Sequence, residues 1–291
     1  MLQQQIINGV AVGMIYALVA VGYSLVFGVL RIMNMAYASI LTLGAHFCLA
    51  SAPYFGVFPG FAFALILTGL VSVFFDVSML APLRRKKSVS GITVLITAIG
   101  FNYVLLNLCQ VIWGTERKPF QNIFDFGSFK LGSLKLDSTQ LIIMGIVVLL
   151  LLVLSYIVYG TRIGLGMRAV QQNMIAAQMT GVDTKRIINI TFFISGITAC
   201  TAGFLVASNY QLVYSTMGVS LGSKAFAAAI LGGIGILHGS VIGGIIIGVL
   251  ECLSVYFFGG TYREAVAYIV LILVLLFMPQ GLFGKHEANK L

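Results

Sequence analysis

Residues 2–30, LQQQIINGVAVGMIYALVAVGYSLVFGVL, contain no acidic or basic side chain. That run is longer than the roughly 20 apolar residues a helix needs to cross a hydrocarbon core about 30 Å thick. Other stretches repeat the pattern: Ile32 to Phe75, Ser88 to Thr115 and Ile187 to Ser223 are also free of Asp, Glu, Lys and Arg. Inside a bilayer every backbone amide must be paired internally, which leaves helices or closed barrels. These runs are continuously apolar and do not alternate, so helices are expected. The whole composition agrees, with 59% hydrophobic and 9% charged residues. A soluble domain carries about 25% charged residues, so an ordinary globular enzyme is excluded. The expected fold is all-α, a polytopic integral membrane helix bundle of about 8–9 spans in a single domain over residues 1–291.

Spans are expected near residues 5–28, 35–52, 57–80, 89–112, 139–159, 187–209, 223–237, 239–258 and 264–281. The 223–237 segment is short, and two readings fit it: a ninth crossing, or a half-helix that does not cross. Residues Met1–Gln5 hold no basic residue, and no small-x-small cleavage site follows. The first span is therefore read as retained rather than removed as a signal peptide.

The net charge is +9. On a soluble chain that would suggest nucleic acid; here loop charge explains it, because cytoplasmic loops are enriched in Lys and Arg. Nine passes place Arg31, the Arg84–Lys87 cluster, Arg162, Arg168, Lys185, Arg186, Lys285 and Lys290 on one side. The opposite side holds Arg117, Lys118, Lys130, Lys135 and Arg263, offset by Glu116, Asp125, Asp137 and Glu264. The N-terminus is thus expected outside and the C-terminus in the cytoplasm. Residues 114–138 form the longest external loop. Its Phe120, Phe124, Phe126 and Phe129 alternate with polar residues, as in a loop packed on the membrane surface or a dock for an external partner.

Gly235, Gly239 and Gly243 repeat every four residues, and Gly244 and Gly248 continue the pattern. Small residues at this spacing let membrane helices approach closely. Close helix packing is one reading, and a mobile seam along a translocation path is the other. Ionisable residues within spans are few. Asp76 reads as a helix-end residue near the Arg84–Lys87 cluster. Glu251, deep in an apolar segment, fits an interhelical hydrogen bond or a place on the substrate path. Cys48, Cys109, Cys200 and Cys252 are scattered, and neither they nor His46 and His238 have metal-ligand spacing, so no metal and no cofactor are expected. In the loop at 160–186, residues 173–180 can form a short helix, with Asn173 suited to its N-cap and Gly181 to the position just past its end.

These last residues carry a resemblance. Ala176-Ala177-x-x-x-Gly181 resembles the core of the "EAA" loop of ATP-binding-cassette importer permeases. Gly166-Met-Arg-Ala-Val170 with Asn173 is similar to the branched-chain amino acid permeases. So are Lys224-Ala-Phe-Ala-Ala-Ala-Ile-Leu-Gly-Gly-Ile-Gly235, His238-Gly-Ser-Val-Ile-Gly-Gly244 with Glu251, Asn8-Gly9 with Gly13-Met-Ile-Tyr-Ala-Leu18, and Pro279-Gln-Gly-Leu-Phe-Gly284. The likeness runs from about residue 5 to residue 285. Departures are Ile175, where the family commonly has glutamate; Asn34-Met-Ala-Tyr37, where it often ends in histidine; and His238, at a place usually held by proline.

The resemblance implies a non-enzymatic permease subunit in the cytoplasmic (inner) membrane of a prokaryote, surrounded by lipid. Its cargo would be branched-chain amino acids, with urea and short amides as the second choice. Implied partners are two cytoplasmic ATP-binding subunits, a sister permease in a homo- or heterodimer, and a periplasmic or extracellular solute-binding protein. No G-x-x-x-x-G-K-[ST] motif occurs in the chain, in keeping with ATP hydrolysis on separate subunits. Asn173, Ala176, Ala177 and Gly181 are the expected ATPase-coupling residues, and Asn34, Gly235, Gly239, Gly243 and Glu251 the expected path or packing residues. The competing class is a stand-alone secondary transporter, in which Glu251 and Asp76 would carry coupling protons.

Overall fold

A computed structural model describes residues 2–85, 90–121, 124, 127–131, 134–278 and 280–284. Two helices, α1 (Leu2–Leu30) and α2 (Tyr37–Phe55), are followed by α3 (Val57–Phe75). A π-helical turn at Asp76–Leu80 joins α3 to α4 (Ala81–Arg85) without a break. Then come α5 (Gly91–Trp113), α6 (Ser138–Gly160), α7 (Arg162–Gln172), α8 (Met174–Met179) and α9 (Thr184–Tyr210). The chain closes with α10 (Met217–Gly232), α11 (Leu237–Phe258) and α12 (Arg263–Phe277). Eight of the described helical segments are long and apolar enough to cross a membrane, and α10 is a shorter apolar helix. No interior basic or acidic residue interrupts α1, whereas Gly56 and Gly114, both at positive φ, end α2 and α5 where the chain turns back.

The two ends of the bundle are distinct. At one end, β1 (Lys118–Pro119) pairs antiparallel with β4 (Leu212–Val213), and β2 (Ser128–Leu131) with β3 (Leu134–Asp137). Ten residues of the 114–138 loop are thus in strands, β2 and β3 paired with each other and β1 with the segment before α10. Phe120 is buried there, edge-on to Phe204 of α9 at 5.8 Å, with Phe124 at 6.1 Å. Phe126 lies outside the described residues. The loop is therefore anchored by aromatic packing of Phe120 and Phe124 onto Phe204 near the end of α9. At the other end lie the 31–36 link, the 160–186 loop and the turn between α10 and α11.

The short segment resolves into α10, which starts six residues earlier than the sequence suggests. Its 16 residues rise about 24 Å at 1.5 Å each, short of a hydrocarbon core of about 30 Å. It still runs the length of the bundle. Ser215 just before it donates to the Gly114 carbonyl at the strand-bearing end (2.8 Å), and Leu282 donates to Leu231 near its far end (2.8 Å). Most of α10 is buried, so its exposed-backbone ends meet protein rather than lipid. Among the described residues α10 thus lies alongside the eight longer helices as a ninth, shorter apolar segment. Arg31, Arg84, Arg162, Arg168, Lys185 and Arg186 lie at the end opposite the strands.

This charge distribution makes a first prediction. A reporter fused near Gln121 is expected to be external, and reporters after Lys87 or Leu291 cytoplasmic. A cytoplasmic Gln121 fusion reverses the orientation.

α1 and α9 form the centre of the bundle, with Tyr16, Leu18, Phe192 and Leu205 almost wholly inaccessible. By contrast α5, α6 and α12 turn broad apolar faces outward, among them Val111, Leu152 and Leu276. Exposed apolar faces of this breadth are what lipid or a partner helix covers.

Candidate functional site

The 160–186 loop is built from two capped helices. Thr161 caps α7 by accepting from the Gly164 N–H at 3.2 Å. This eleven-residue amphipathic helix is absent from the sequence reading. It packs through Met167 and Val170, and a side chain at Gly166 would press on Ile187 of α9. The expected short helix is α8. Asn173 Oδ1 accepts from the N–H groups of Ile175 (2.9 Å) and Ala176 (3.0 Å). Gly181 lies at φ +85°. Its N–H donates to the Gln178 carbonyl and the Val182 N–H to the Ala177 carbonyl, at 3.1 and 3.0 Å. Those two bonds are the Schellman pattern, which satisfies the last carbonyls of a helix.

Within α8, Ala177 faces inward and is buried, while Ala176 is exposed. Ile175 and Met179, four residues apart and so on one face, are 68% and 85% exposed. A six-residue helix thus stands at the basic end with an uncovered apolar face. It is tied down by Gln178 donating to Thr184 (2.8 Å) and by Asp183 capping α9 through the Arg186 N–H (3.1 Å).

A stack links this loop to the bundle. Arg168 of α7 donates to the Val158 carbonyl and stands 5.9 Å over the Tyr159 ring. Tyr159 of α6 stacks flat on His238 at the start of α11, centroids 5.5 Å apart and planes 7° apart. His238 is therefore an aromatic contact between the loop-bearing end of α6 and the glycine-rich helix.

The glycines of α11 divide between two neighbours. Gly239 and Gly243 face α10, where added Cβ atoms would run into the Gly232 and Ala228 carbonyls. Gly244 and Gly248 face α1 at Ala17 and Gly13. From the α1 side, a Cβ on Gly13 would sit 2.8 Å from Ile245 Cα and one on Gly9 2.7 Å from Val249 Cα. α11 is thus wedged between two helices at backbone contact, and the buried Ser24 and Ser240 hydroxyls share a hydrogen bond across the α1 seam. Gly235 departs from the expected repeat. It sits in the turn between α10 and α11 at φ +88°, against Gly28 of α1. Its spacing is coincidental, because the helix begins only at Leu237.

Glu251 is fully buried. Its Oε2 accepts from the Tyr16 hydroxyl at 2.8 Å, and its Oε1 accepts from Lys224 Nζ at 3.0 Å and from Arg263 Nε. Arg263 also donates to the Tyr210 hydroxyl at 3.2 Å. Three helices, α1, α10 and α11, and the start of α12 therefore meet on one carboxylate, and α9 joins through Tyr210 on Arg263. The sequence reading singled out Glu251 but missed these partners. The available signal was Lys224 itself, a lysine inside an apolar helix, since ionisable groups at membrane depth pair with one another. Asp76, also buried, pairs with Arg84: Nη2 donates to Oδ2 at 2.9 Å, and Nη1 lies 2.6 Å from Oδ1 as an ion contact without hydrogen-bond alignment. Asn34, in the link between α1 and α2, accepts from the Ala36 N–H at 3.2 Å. Its Nδ2 is buried without a hydrogen-bond partner among the described residues. Asn34 and α8 are not brought together with Glu251, which stands at the opposite end of the seam.

Residues 5–276 match the family model described as branched-chain amino acid transport system / permease component. The chain is 32% identical to the high-affinity branched-chain amino acid transport system permease protein LivH of Salmonella typhimurium, an alignment covering 99% of this chain and 97% of that protein. It is 30% identical to the corresponding protein BraD of Pseudomonas aeruginosa, over the same shares of each chain. To the probable branched-chain amino acid transport permease protein LivH of Methanocaldococcus jannaschii it is 28% identical, over 92% of this chain and 88% of that one.

Proposed function

The chain belongs to the permease family of branched-chain amino acid transport systems, and from that premise we propose that it carries branched-chain amino acids inward across the cytoplasmic membrane of a prokaryote. It is a transport subunit of an ATP-binding-cassette importer rather than an enzyme. It pairs with a second permease, a sister or a copy of itself, with the path at their interface. Two ATPase subunits dock at the basic, cytoplasmic end, and a solute-binding protein delivers cargo at the strand-bearing, external end.

The observation that supports this most directly is α8. A Schellman-capped helix of six residues with Ile175 and Met179 uncovered is a knob shaped for a groove on another protein. Ile175, where relatives commonly carry glutamate, makes that contact apolar, so it is expected to resist high salt. The Arg168–Tyr159–His238 stack offers a mechanical route from the knob to the α11 seam. ATP-driven closure of the ATPases would push the knob and shift the path from outward-open to inward-open, a change of population between two states. Glu251 and Asp76 are each neutralised by built-in cations, which suits structural ion pairs better than the proton carriers a secondary transporter needs.

Gly181→Val tests the knob. A Cβ there meets open space, so the cost is conformational: a β-branched residue at left-handed φ is strained by roughly 1 kcal/mol or more. Membrane insertion and cargo binding by the external protein are expected to survive. Uptake is expected to fail in reconstituted importer, together with stimulation of ATP hydrolysis by the loaded binding protein. Wild-type coupling in this variant moves the docking site elsewhere, to the Arg84–Lys87 loop first.

A further inference from the structure

A cavity of about 280 Å³ lies beside the Glu251 cluster at the strand-bearing end. Its volume approaches the roughly 300 Å³ at which small-molecule pockets begin. Arg117, Lys224, Arg263 and Glu264 supply its charged lining, and Val206, Met217 and Leu221 part of its apolar lining. Arg117 is held over the Tyr214 ring at 5.4 Å. Counting Glu251, three cations face two acids, so the cluster carries one uncompensated positive charge. Lys224 is buried and Arg263 half-buried, whereas Arg117 and Glu264 are exposed at the strand-bearing end. The donors are not spent. An ammonium offers three N–H bonds and a guanidinium five; Lys224 gives one to Glu251, and Arg263 gives one to Glu251 and one to Tyr210. Glu264 keeps acceptor capacity beyond its bond from Ser220 (3.0 Å).

We infer that this cavity is a subsite for the α-carboxylate of an amino-acid cargo, received by Lys224 and Arg263. The ligand's ammonium group is placed toward Glu264 and its side chain against Val206, Met217 and Leu221. The carboxylate supplies the negative charge the cluster lacks, and Glu251 holds both cations in position while the site is empty. This assignment rests on the importer reading above. It adds that the permease itself reads the zwitterion, after the binding protein has let go.

The test is thermal stabilisation of the purified permease–ATPase complex by millimolar L-leucine, with the binding protein omitted. Leucinamide, which lacks the carboxylate, is the control. Leucine is expected to raise the melting temperature and leucinamide to leave it unchanged. Lys224→Met is expected to abolish the leucine shift. Arg117→Gln removes a lining charge without touching the partners of Glu251 and is expected to weaken leucine binding about tenfold. Equal stabilisation by leucinamide, or an unchanged leucine titration in both variants, overturns the subsite. If Lys224→Met fails to assemble, Glu264→Gln, which removes the exposed carboxylate placed against the ligand's ammonium, decides instead, and wild-type leucine affinity in it overturns the subsite. Stabilisation by another zwitterionic amino acid but not by leucine refutes the branched-chain cargo while supporting the carboxylate subsite. Stabilisation by urea or amides alone, or by none of these compounds, overturns it.

Discussion

Replacing Gly243 with leucine is expected to abolish accumulation of folded permease. The added side chain has no empty space to enter: its Cβ already meets the Ala228 carbonyl, and the Gly232 N lies 2.9 Å away. Both obstacles are backbone of α10, which cannot turn aside as a side chain can. Overpacking a core against movable side chains costs about 1–3 kcal/mol, and here helix α11 must separate from α10 as a whole. Such a separation would also pull α11 from α1, because Gly244 and Gly248 on its other flank touch Ala17 and Gly13. Gly239→Leu, blocked by the Gly232 carbonyl and Phe283, is expected to behave alike. Gly145 of α6 provides the control, because nothing lies within 4 Å of a Cβ placed there; Gly145→Leu is expected to accumulate normally. Size-exclusion profiles of fluorescently tagged protein from membranes measure all three. A monodisperse Gly243→Leu peak of wild-type height would mean that α10 and α11 do not touch as described.

The second large effect is expected at Glu251. Glu251→Ala leaves Lys224, whose side chain is 7% exposed, without its carboxylate. Removing one partner of a buried ion pair costs about 3–5 kcal/mol, because the remaining charge keeps its desolvation penalty. Arg263 is more accessible and contributes less to that loss. For a chain of this size the total corresponds to a fall of about 10 °C in melting temperature. Adding Lys224→Met to Glu251→Ala removes the stranded cation and is expected to restore part of the loss. A Glu251→Ala melting curve that overlays the wild type would show that water reaches the cluster and screens it. Failure of the double variant to recover anything would assign the stability to Tyr16 and Arg263 instead.

The capping of α8 shows what a short stretch of sequence can carry. Asn173 and Gly181 fix the start and stop of that helix through bonds that reach no more than five residues. Helix α7 escaped notice because Gly164 and Gly166 interrupt its amphipathic pattern in Arg162–Gln172 and read as loop. The β1–β4 pair escaped because it joins residues 118–119 to 212–213, and two-residue strands have no periodicity to detect.

The sequence by itself determined that this chain is a helical membrane bundle, where most spans lie, which loops are basic, and where the short helix α8 begins and ends. Those properties, the ends of the capped helix α8 among them, depend on apolar run length, charge placement and capping, all local along the chain. Only the tertiary structure decided that α10 runs the length of the bundle despite its 16 residues. It alone separated Gly239 and Gly243 from Gly145, and gave Glu251 its partners Tyr16, Lys224 and Arg263. Identical residues have identical local signals, and what distinguishes them is the backbone or charge that another helix brings alongside. Tyr16 stands 235 positions from the carboxylate it binds, and no periodicity within either helix encodes that meeting.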